Sequence, residues 1–551
     1  MSRAAPPSSA TAPRHDHAQV KETLVSIIIA FVLAFVFRAF VIEAFVIPTG
    51  SMAPTLMGAH ERITSPNSGY TWPVGPWNYD SAGNPLSHQG SLRLTDPMTG
   101  EEIHTSEARH SGDRILVFKY LYSVYDPTRF DVVVFKAPHE KDAATNYIKR
   151  LVGLPGEELA LIDGDVFVRT PEPGEPAPAG RSWGLPGWQV QRKDERTQRS
   201  VWQPVFSSEY EPLVPPRGYA SPWEGDGGAW QIQGRQSYAF DGPGPATLSW
   251  SSAIPHWEID DFYPYNELPP GRRQQITFNV NDLRLRCGVE ARAGALNASA
   301  VLRARGHEFR ADISGRDVVL RMGALGPPAR SGGSEAPAAW TTLATGTLRR
   351  PIEPGRVVQL EFWHADQALW LFAEGDLIAR GQYDWSPRER IRLALNHDLD
   401  QLVETDGRTG TNTLALRSNY PAPEAIRWEF TGGPLTLHRV GLDRDIHYES
   451  NNPNPGAEHA NERLRAAHPL RAMVLGPHQF FVCGDNSPQS KDARLWEAPD
   501  PWVAATIDTT EGVVPRHLMI GRAFFVYFPS LIRGRWSPLP MPDFGRMRFI
   551  W

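Results

Sequence analysis

The chain has 551 residues, more than one ordinary hydrophobic core accommodates, so two or more domains are the default. A hydrophobic fraction of 41% and a charged fraction of 21% exclude a disordered protein, and a net charge of −6 leaves no basic field for nucleic acid. The 50 prolines and 47 glycines imply many turns, as in β-rich architecture, and two cysteines, Cys287 and Cys483, far apart, give neither a disulfide scaffold nor a metal-ligand spacing.

In chain order, 1–20 (MSRAAPPSSATAPRHDHAQV) is a polar tail, expected to be disordered and cytoplasmic. Residues 24–37 read LVSIIIAFVLAFVF without a charge. A membrane helix needs about 20 apolar residues, and Arg38, snorkelling to the interface, extends the run to 41. This predicts a transmembrane anchor over 21–42. It is expected to be retained, because cleavage as a signal peptide would fall beside or inside the motif that follows. Arg3, Arg14 and Lys21 ahead of it place the N-terminus in the cytoplasm and the bulk of the chain outside.

IPTGSMAPTL at 47–56 is a Pro/Gly loop after a short strand. Residues 58–111 read as loop; they hold His60, His104 and His110 but no cysteine, and predict no metal site. Strand signals resume at 114–119 and 131–136. NYIKRLVGLPGE follows at 146–157, and then ELALIDGDVFVR at 158–169, a hairpin turning at Asp163-Gly164. A Pro/Gly-rich stretch over 171–273 predicts an irregular connection. The runs ITFNVNDLRLRCGVEAR, VVLRM, RVVQLEFWHADQALWLFAEGDLIARGQY, RIRLALN and PLTLHRVGL predict an all-β sandwich over 274–448. HQFFVCGDNSPQSKDAR and VVPRHLMIGRAFFVYFP then return to the first pattern. The expected architecture is mainly β, with one module, 43–170 and 449–551 including a C-terminal tail, split by an inserted sandwich.

A serine needs a base to act as a nucleophile at neutral pH. Ser51 stands in the Gly-Ser-Met-x-Pro loop, where a serine is usually a turn residue. Lys149 is flanked by Tyr147, Ile148, Leu151 and Val152. If such a lysine is buried, desolvation favours its neutral amine, which can take a serine proton as in Ser-Lys variants of the catalytic triad.

Together these blocks resemble the bacterial type I signal peptidases. SMAPTL resembles their nucleophile motif, YIKRLVGLPGE their general-base motif and GDNSPQSKDAR a third signature, in the family's order. GDRILVFK at 112–119 and FDVVVFK at 130–136 also fall in place, and the resemblance covers about 24–169 and 470–530. It implies a membrane-bound serine endopeptidase that cuts signal peptides after a small-x-small site. Ser51 is then the nucleophile, Lys149 the general base, and Ser490 the hydroxyl that orients Lys149. The Ser51 N–H and the Thr49 side chain form the oxyanion hole. Arg150 with Asp485, and Asp492 with Arg494, are structural ion pairs, and Ala493 departs from the family's usual serine. No cofactor or metal is implied. The implied partners are preproteins from the secretion translocon and the lipid bilayer, not nucleic acid, at a bacterial cytoplasmic membrane crossed once.

Residues 274–448 are similar to concanavalin/laminin-G-like sandwiches, which host carbohydrate, protein and structural roles. Trp363, Trp370 and Trp385 are either a sugar-stacking face or, more commonly, core. The acids Asp376, Asp384, Asp398 and Asp400 match no calcium-loop motif. The insertion therefore has an unassigned ligand or partner. It is expected to be separable, so that a Gly/Ser linker in place of 171–468 preserves peptide hydrolysis. Two other readings are an anchored glycan- or protein-binding surface protein on an inactive protease scaffold, and a self-cleaving repressor of the SOS kind. The repressor would place a DNA-binding domain where the apolar segment stands.

Overall fold

The computed structural model describes residues 17–77, 86, 92–105, 109–139, 145–172, 180–215, 219–226, 228–232, 235, 237–251, 257–268, 276–326, 336–450, 462–529, 531–533 and 540–551. Most of the tail expected to be disordered, with Arg3 and Arg14, lies outside them. The fold is mainly β, and the strand pairings among the described residues are antiparallel.

One sheet carries the sequence motifs. Its order is Ile42–Val46, Arg114–Lys119, Met519–Phe528, Val132–Lys136, Asn146–Gly153, Gln479–Cys483 and Val514–Pro515, with Arg548–Phe549 added to Met519–Phe528. Strands from both ends of the chain are thus interleaved within it. The runs around 115–118 and 132–135 are β-branched and aromatic, and they bury Ile115, Val117, Val133 and Phe135 completely. The neighbouring hairpin pairs Glu158–Ile162 with Asp165–Arg169. Asp163 (φ 49°) and Gly164 (φ 87°) both take the left-handed conformation that a two-residue hairpin turn requires. Met473–Val474 pairs with the other edge of Glu158–Ile162. The chain therefore leaves after Arg169 and returns near Met473 on opposite sides of one strand.

Between these points two sheets form a β-sandwich. One is ordered Trp230–Ile232, Tyr238–Phe240, Leu435–Arg444, Leu283–Ala291, Val357–Ala365, Ala368–Ala373 and Asp376–Gln382, with Gln203–Ser207 also on Leu435–Arg444. The other is ordered Trp223–Gly225, Ala246–Trp250, Ala425–Thr431, Asn297–Ala304, His307–Ser314, Asp317–Ala324 and Thr341–Thr347. Alternate residues of each strand, such as Leu285, Phe362 and Leu437 facing Phe309, Leu320 and Trp428, share one core.

Four expectations change. The segment read as an irregular connection supplies five sandwich strands, because Phe206, Trp223, Tyr238, Phe240 and Leu248 between its prolines and glycines are buried core residues. The stretch read as loop after the nucleophile motif contains strands His60–Thr64, Thr71–Val74, Leu92–Thr95 and Glu102–Thr105. RIRLALN lies in a helix, Pro387–Leu395, opened by a reciprocal Ser386/Glu389 capping box with Pro387 in the first turn and closed by left-handed Asn396. Finally, no helix among the described residues is long and apolar enough to cross a membrane. The N-terminal helix His17–Phe40 stops there, and the apolar run beyond Arg38 goes into strand Ile42–Val46, which pairs with Arg114–Lys119.

Candidate active site

The loop that bears Ser51 is tied down at both ends by one buried aspartate. Ile47 N–H donates to the Asp113 carbonyl (2.9 Å), Met57 N–H to its carboxylate (2.9 Å), and Asp113 N–H to the Met57 carbonyl (2.8 Å). Inside the loop, Ala53 N–H reaches the Gly50 carbonyl at 2.9 Å and Leu56 N–H the Met52 carbonyl at 2.8 Å. Met52, Ala53 and Leu56 are wholly buried, which sets the turn on the core and leaves Ser51 half-buried.

Lys149 lies in strand Asn146–Gly153, opposite Val133 of Val132–Lys136. The side chain is 4% exposed, and its Nζ is in hydrogen-bonding contact with Ser51 Oγ at 2.6 Å. Burial lowers the Lys149 pKa to about 8, against the opposing pull of the Asp492 and Asp485 carboxylates. The amine is therefore neutral in a sizeable fraction of molecules at mildly alkaline pH and can accept a proton from the hydroxyl it touches.

Arg150, the next residue, grips the loop opposite. It donates from Nε and Nη2 to Asp485 at 2.7 and 2.6 Å, and from Nη1 to the Phe130 and Trp551 carbonyls at 2.8 Å each. The Thr55 hydroxyl donates to the same Asp485 carboxylate, so that group joins the Ser51 loop to the Lys149 strand. Arg494 pairs with Asp492 through two bonds (2.9 and 2.8 Å) and reaches the Glu449 carbonyl (2.9 Å) and Ser487 Oγ (2.7 Å). Asp492 also accepts from Gly484 N–H at 2.9 Å. This pair shapes the loop itself rather than bridging to the Lys149 strand.

Ser490 is completely buried, and among the described residues its Oγ has no partner at hydrogen-bonding geometry, neither Lys149 nor Asp492, although it lies near enough to favour ionised Asp492. It points toward Gly484, where a Cβ would fall 2.3 Å from Ser490 Oγ and 2.4 Å from the Ser51 carbonyl oxygen. Thr49 is exposed. Ala493 is buried and its N–H donates to the Val482 carbonyl at 3.2 Å. Burial pushes the Cys483 thiol well up, which keeps it in the unreactive protonated form.

Three residues at the site carried no role in the sequence reading. Asn486 donates from its backbone N–H to the Ser51 carbonyl (3.1 Å) and from Nδ2 to the Gly50 carbonyl (2.9 Å). Asn266 and Tyr265, from the stretch read as an irregular connection, pack on the same turn. Asn486 stands inside the GDN signature and was within reach; an Asn and a Tyr in a Pro-rich loop give no comparable signal.

Trp363, Trp370 and Trp385 are buried, which removes them as an exposed sugar-stacking face. Asp376 pairs with Arg349, Asp384 with Arg192 and Asp400 with Arg388, while Asp398 caps the helix Leu399–Thr409. They do not converge on one point. Carboxylate oxygens of Asp165, Asp282 and Asp366 do lie within 4.8 Å of one another. Arg390 stands 3.0 Å from Asp165, Lys193 2.7 Å from Asp366, and Arg305 on Asp282, so buried side-chain cations already occupy the surroundings of this group.

An antiparallel β-module that sets a serine against a buried lysine has the makings of a serine-protease site. Residues 20–80 and 92–200 match the family Signal peptidase, peptidase S26, and that part of the chain is similar to type I signal peptidases. The Signal peptidase I of Rickettsia bellii (strain OSU 85-389) is 34% identical over 143 residues, 26% of this chain and 37% of the relative. That of Rickettsia typhi is 31% identical over 149 residues, 27% of this chain and 43% of the relative. The chain thus spans less than half the length of the curated relatives it matches. Among solved structures, a carbohydrate-binding module, CBM66 from Bacillus subtilis, aligns at 8% identity over 40% of this chain and 96% of its own, with a TM-score of 0.22. Sheep galectin-11 aligns at 11% identity over 32% and 99%, with a TM-score of 0.17. At such scores these likenesses carry no argument.

Proposed function

We propose that the chain is a signal peptidase that hydrolyses the peptide bond after the small-x-small site of exported preproteins, with Ser51 as nucleophile and Lys149 as general base. The observation that carries the reading is the 2.6 Å contact between Lys149 Nζ and Ser51 Oγ, with the amine buried and its pKa lowered to about 8. Neutral Lys149 takes the proton as Ser51 Oγ attacks the scissile carbonyl. The oxyanion is received by the Ser51 N–H and the Thr49 hydroxyl. The resulting ammonium gives its proton to the leaving amine. The Lys149 amine, neutral again, deprotonates a water that attacks the acyl-enzyme, and returns that proton to Ser51 Oγ as the acid is released.

Ser490 would turn its unpartnered hydroxyl to Lys149 once substrate displaces the Ser51 hydrogen bond, since catalytic contacts often tighten only in the complex. A bacterial membrane location, with preproteins arriving from the translocon, is part of the same reading. The described helix exposes Leu24, Ile28, Phe31, Leu33 and Phe35 to solvent, and Val46 and Phe549 are exposed on the catalytic sheet. An exposed apolar surface of this kind suits contact with lipid.

The experiment is turnover of a fluorogenic signal-peptide substrate by full-length protein in detergent. Wild type is expected to cleave once, after the small-x-small site, and Ser51→Ala and Lys149→Ala are each expected to abolish it. Turnover within tenfold of wild type in either variant would remove the dyad.

A further inference from the structure

We infer that residues 263–266, far outside the matched family segments, form a clamp that positions the nucleophile. Asn266 and Tyr265 are its positioning residues. The inference rests on Ser51 being the nucleophile, as proposed above.

The segment is anchored at one end to the sandwich. Val280 N–H donates to the Ile259 carbonyl (2.9 Å), Asp261 N–H to the Phe278 carbonyl (3.0 Å), and Phe278 N–H to the Asp261 carboxylate (2.8 Å). Arg444, at the end of strand Leu435–Arg444, donates to the Asp261 and Phe262 carbonyls at 3.0 and 2.9 Å. Its other end is the short turn Pro264–Asn266, held against the Ser51 loop.

Two contacts act on that loop. Asn266 and Asn486 exchange amide hydrogen bonds, each at 2.8 Å, and Asn486 Nδ2 also donates to the Gly50 carbonyl at 2.9 Å. Both side chains are buried, so the Asn266 amide fixes the orientation in which Asn486 reaches Gly50. Tyr265 is the second contact. Its hydroxyl donates to the Ala59 carbonyl (2.7 Å), its carbonyl accepts from Gly75 N–H (2.8 Å), and its ring covers Gly50 so closely that a Cβ there would lie 1.9 Å from Tyr265 Cε1. Gly50 immediately precedes Ser51, so the clamp sets the peptide whose far end carries the reacting hydroxyl. A displacement of about 1 Å in such a group can cost on the order of a hundredfold in rate.

The test uses the full chain and the same fluorogenic signal peptide. Asn266→Ala is expected to lower kcat by about ten- to a hundredfold, with KM and the thermal midpoint near wild type. The rising limb of its pH profile is expected to stay in place, because the surroundings of Lys149 are untouched. The Asn266→Ala/Asn486→Ala double variant should be no slower than the slower single one, since the two amides act as a unit. Gly50→Ala should be inactive, and adding Tyr265→Ala should restore at least tenfold of the loss, a rescue that general destabilisation would not produce. Asn266→Ala within twofold of wild-type kcat, or a double variant slowed by the product of the two single losses, would overturn the clamp and leave the proposed function standing. Absence of wild-type turnover would overturn both.

Discussion

Arg150 and Asp485 form a two-pronged ion pair at 2.6 and 2.7 Å in which neither side chain is exposed. The carboxylate also accepts from Thr55, and the guanidinium also donates to the Phe130 and Trp551 carbonyls. One pair thus fastens the Ser51 loop, the Lys149 strand and the GDN loop together. Removing one partner leaves a buried charge uncompensated, at a cost of about 3–5 kcal/mol. Asp485→Ala is therefore expected to lower the denaturant midpoint by a corresponding amount. Arg150→Lys is expected to do much the same, because an ammonium cannot make the fork. A loss under about 1 kcal/mol in both would mean that the pair is dispensable.

The pH dependence follows from Lys149. On the proposed mechanism Lys149 acts as the unprotonated base, so the rate should rise with pH and reach half its plateau at about 8, where burial has placed the amine. An exposed lysine would put that limb near 10.4. A rate still climbing steeply between pH 9 and roughly 10.5 would rule out the buried base. Lys149→Arg should be inactive at every pH, because a guanidinium does not give up its proton.

Gly484 has no room for a side chain. A Cβ there would fall 2.3 Å from Ser490 Oγ and 2.4 Å from the Ser51 carbonyl oxygen, and the second neighbour is backbone that cannot swing aside. Gly484→Ala is expected to push the GDN loop off the nucleophile turn and reduce kcat at least tenfold. Ser490→Ala added to it relieves only the Oγ contact, leaving the Ser51 carbonyl oxygen and Ser490 Cβ at 2.6 Å, and should restore little. Steady-state kinetics on both variants decide the point.

The meeting of Ser51 and Lys149 was legible because both sit in short motifs whose order and composition are distinctive. The hairpin at Asp163-Gly164 was legible from turn chemistry that two positive φ angles demand. The helix Pro387–Leu395 was misread because RIRLALN alternates like a strand, although Ser386, Pro387 and Glu389 spell a helix start just before it. The strands between 60 and 105 are only four or five residues long, too short for a period to show. Asn266 and Tyr265 were invisible for a different reason. Their partners Asn486, Gly50 and Ala59 are distant in sequence, and no local pattern encodes that meeting.

The last prediction concerns the separability of the intervening region, where structure and sequence reading part. A Gly/Ser linker in place of 171–468 was expected to spare peptide hydrolysis, and the two points where the chain leaves and returns do flank one strand, Glu158–Ile162. The removed residues nevertheless include Tyr265 and Asn266 on the nucleophile turn, and the Glu449 carbonyl that accepts from Arg494. They also include Leu464, Ala466 and Ala467, buried in the same core as Leu151 and Phe481. On the other face of the hairpin, Ala160, Ile162 and Phe167 pack against Trp183, Phe278, Ile391, Leu395 and Leu402, all within the deleted span. Uncovering that apolar surface loses roughly 25 cal/mol for each Å² returned to water, enough over several large side chains to unfold a marginally stable module. The linker variant is therefore expected to lose peptide turnover by a hundredfold or more and to melt well below the full chain. In the full chain, urea should unfold the catalytic sheet and the sandwich in one coincident transition followed by tryptophan fluorescence and circular dichroism. A linker variant that stays folded and cleaves the short peptide within threefold of wild type would show that the catalytic module stands alone and that the clamp on Gly50 is idle.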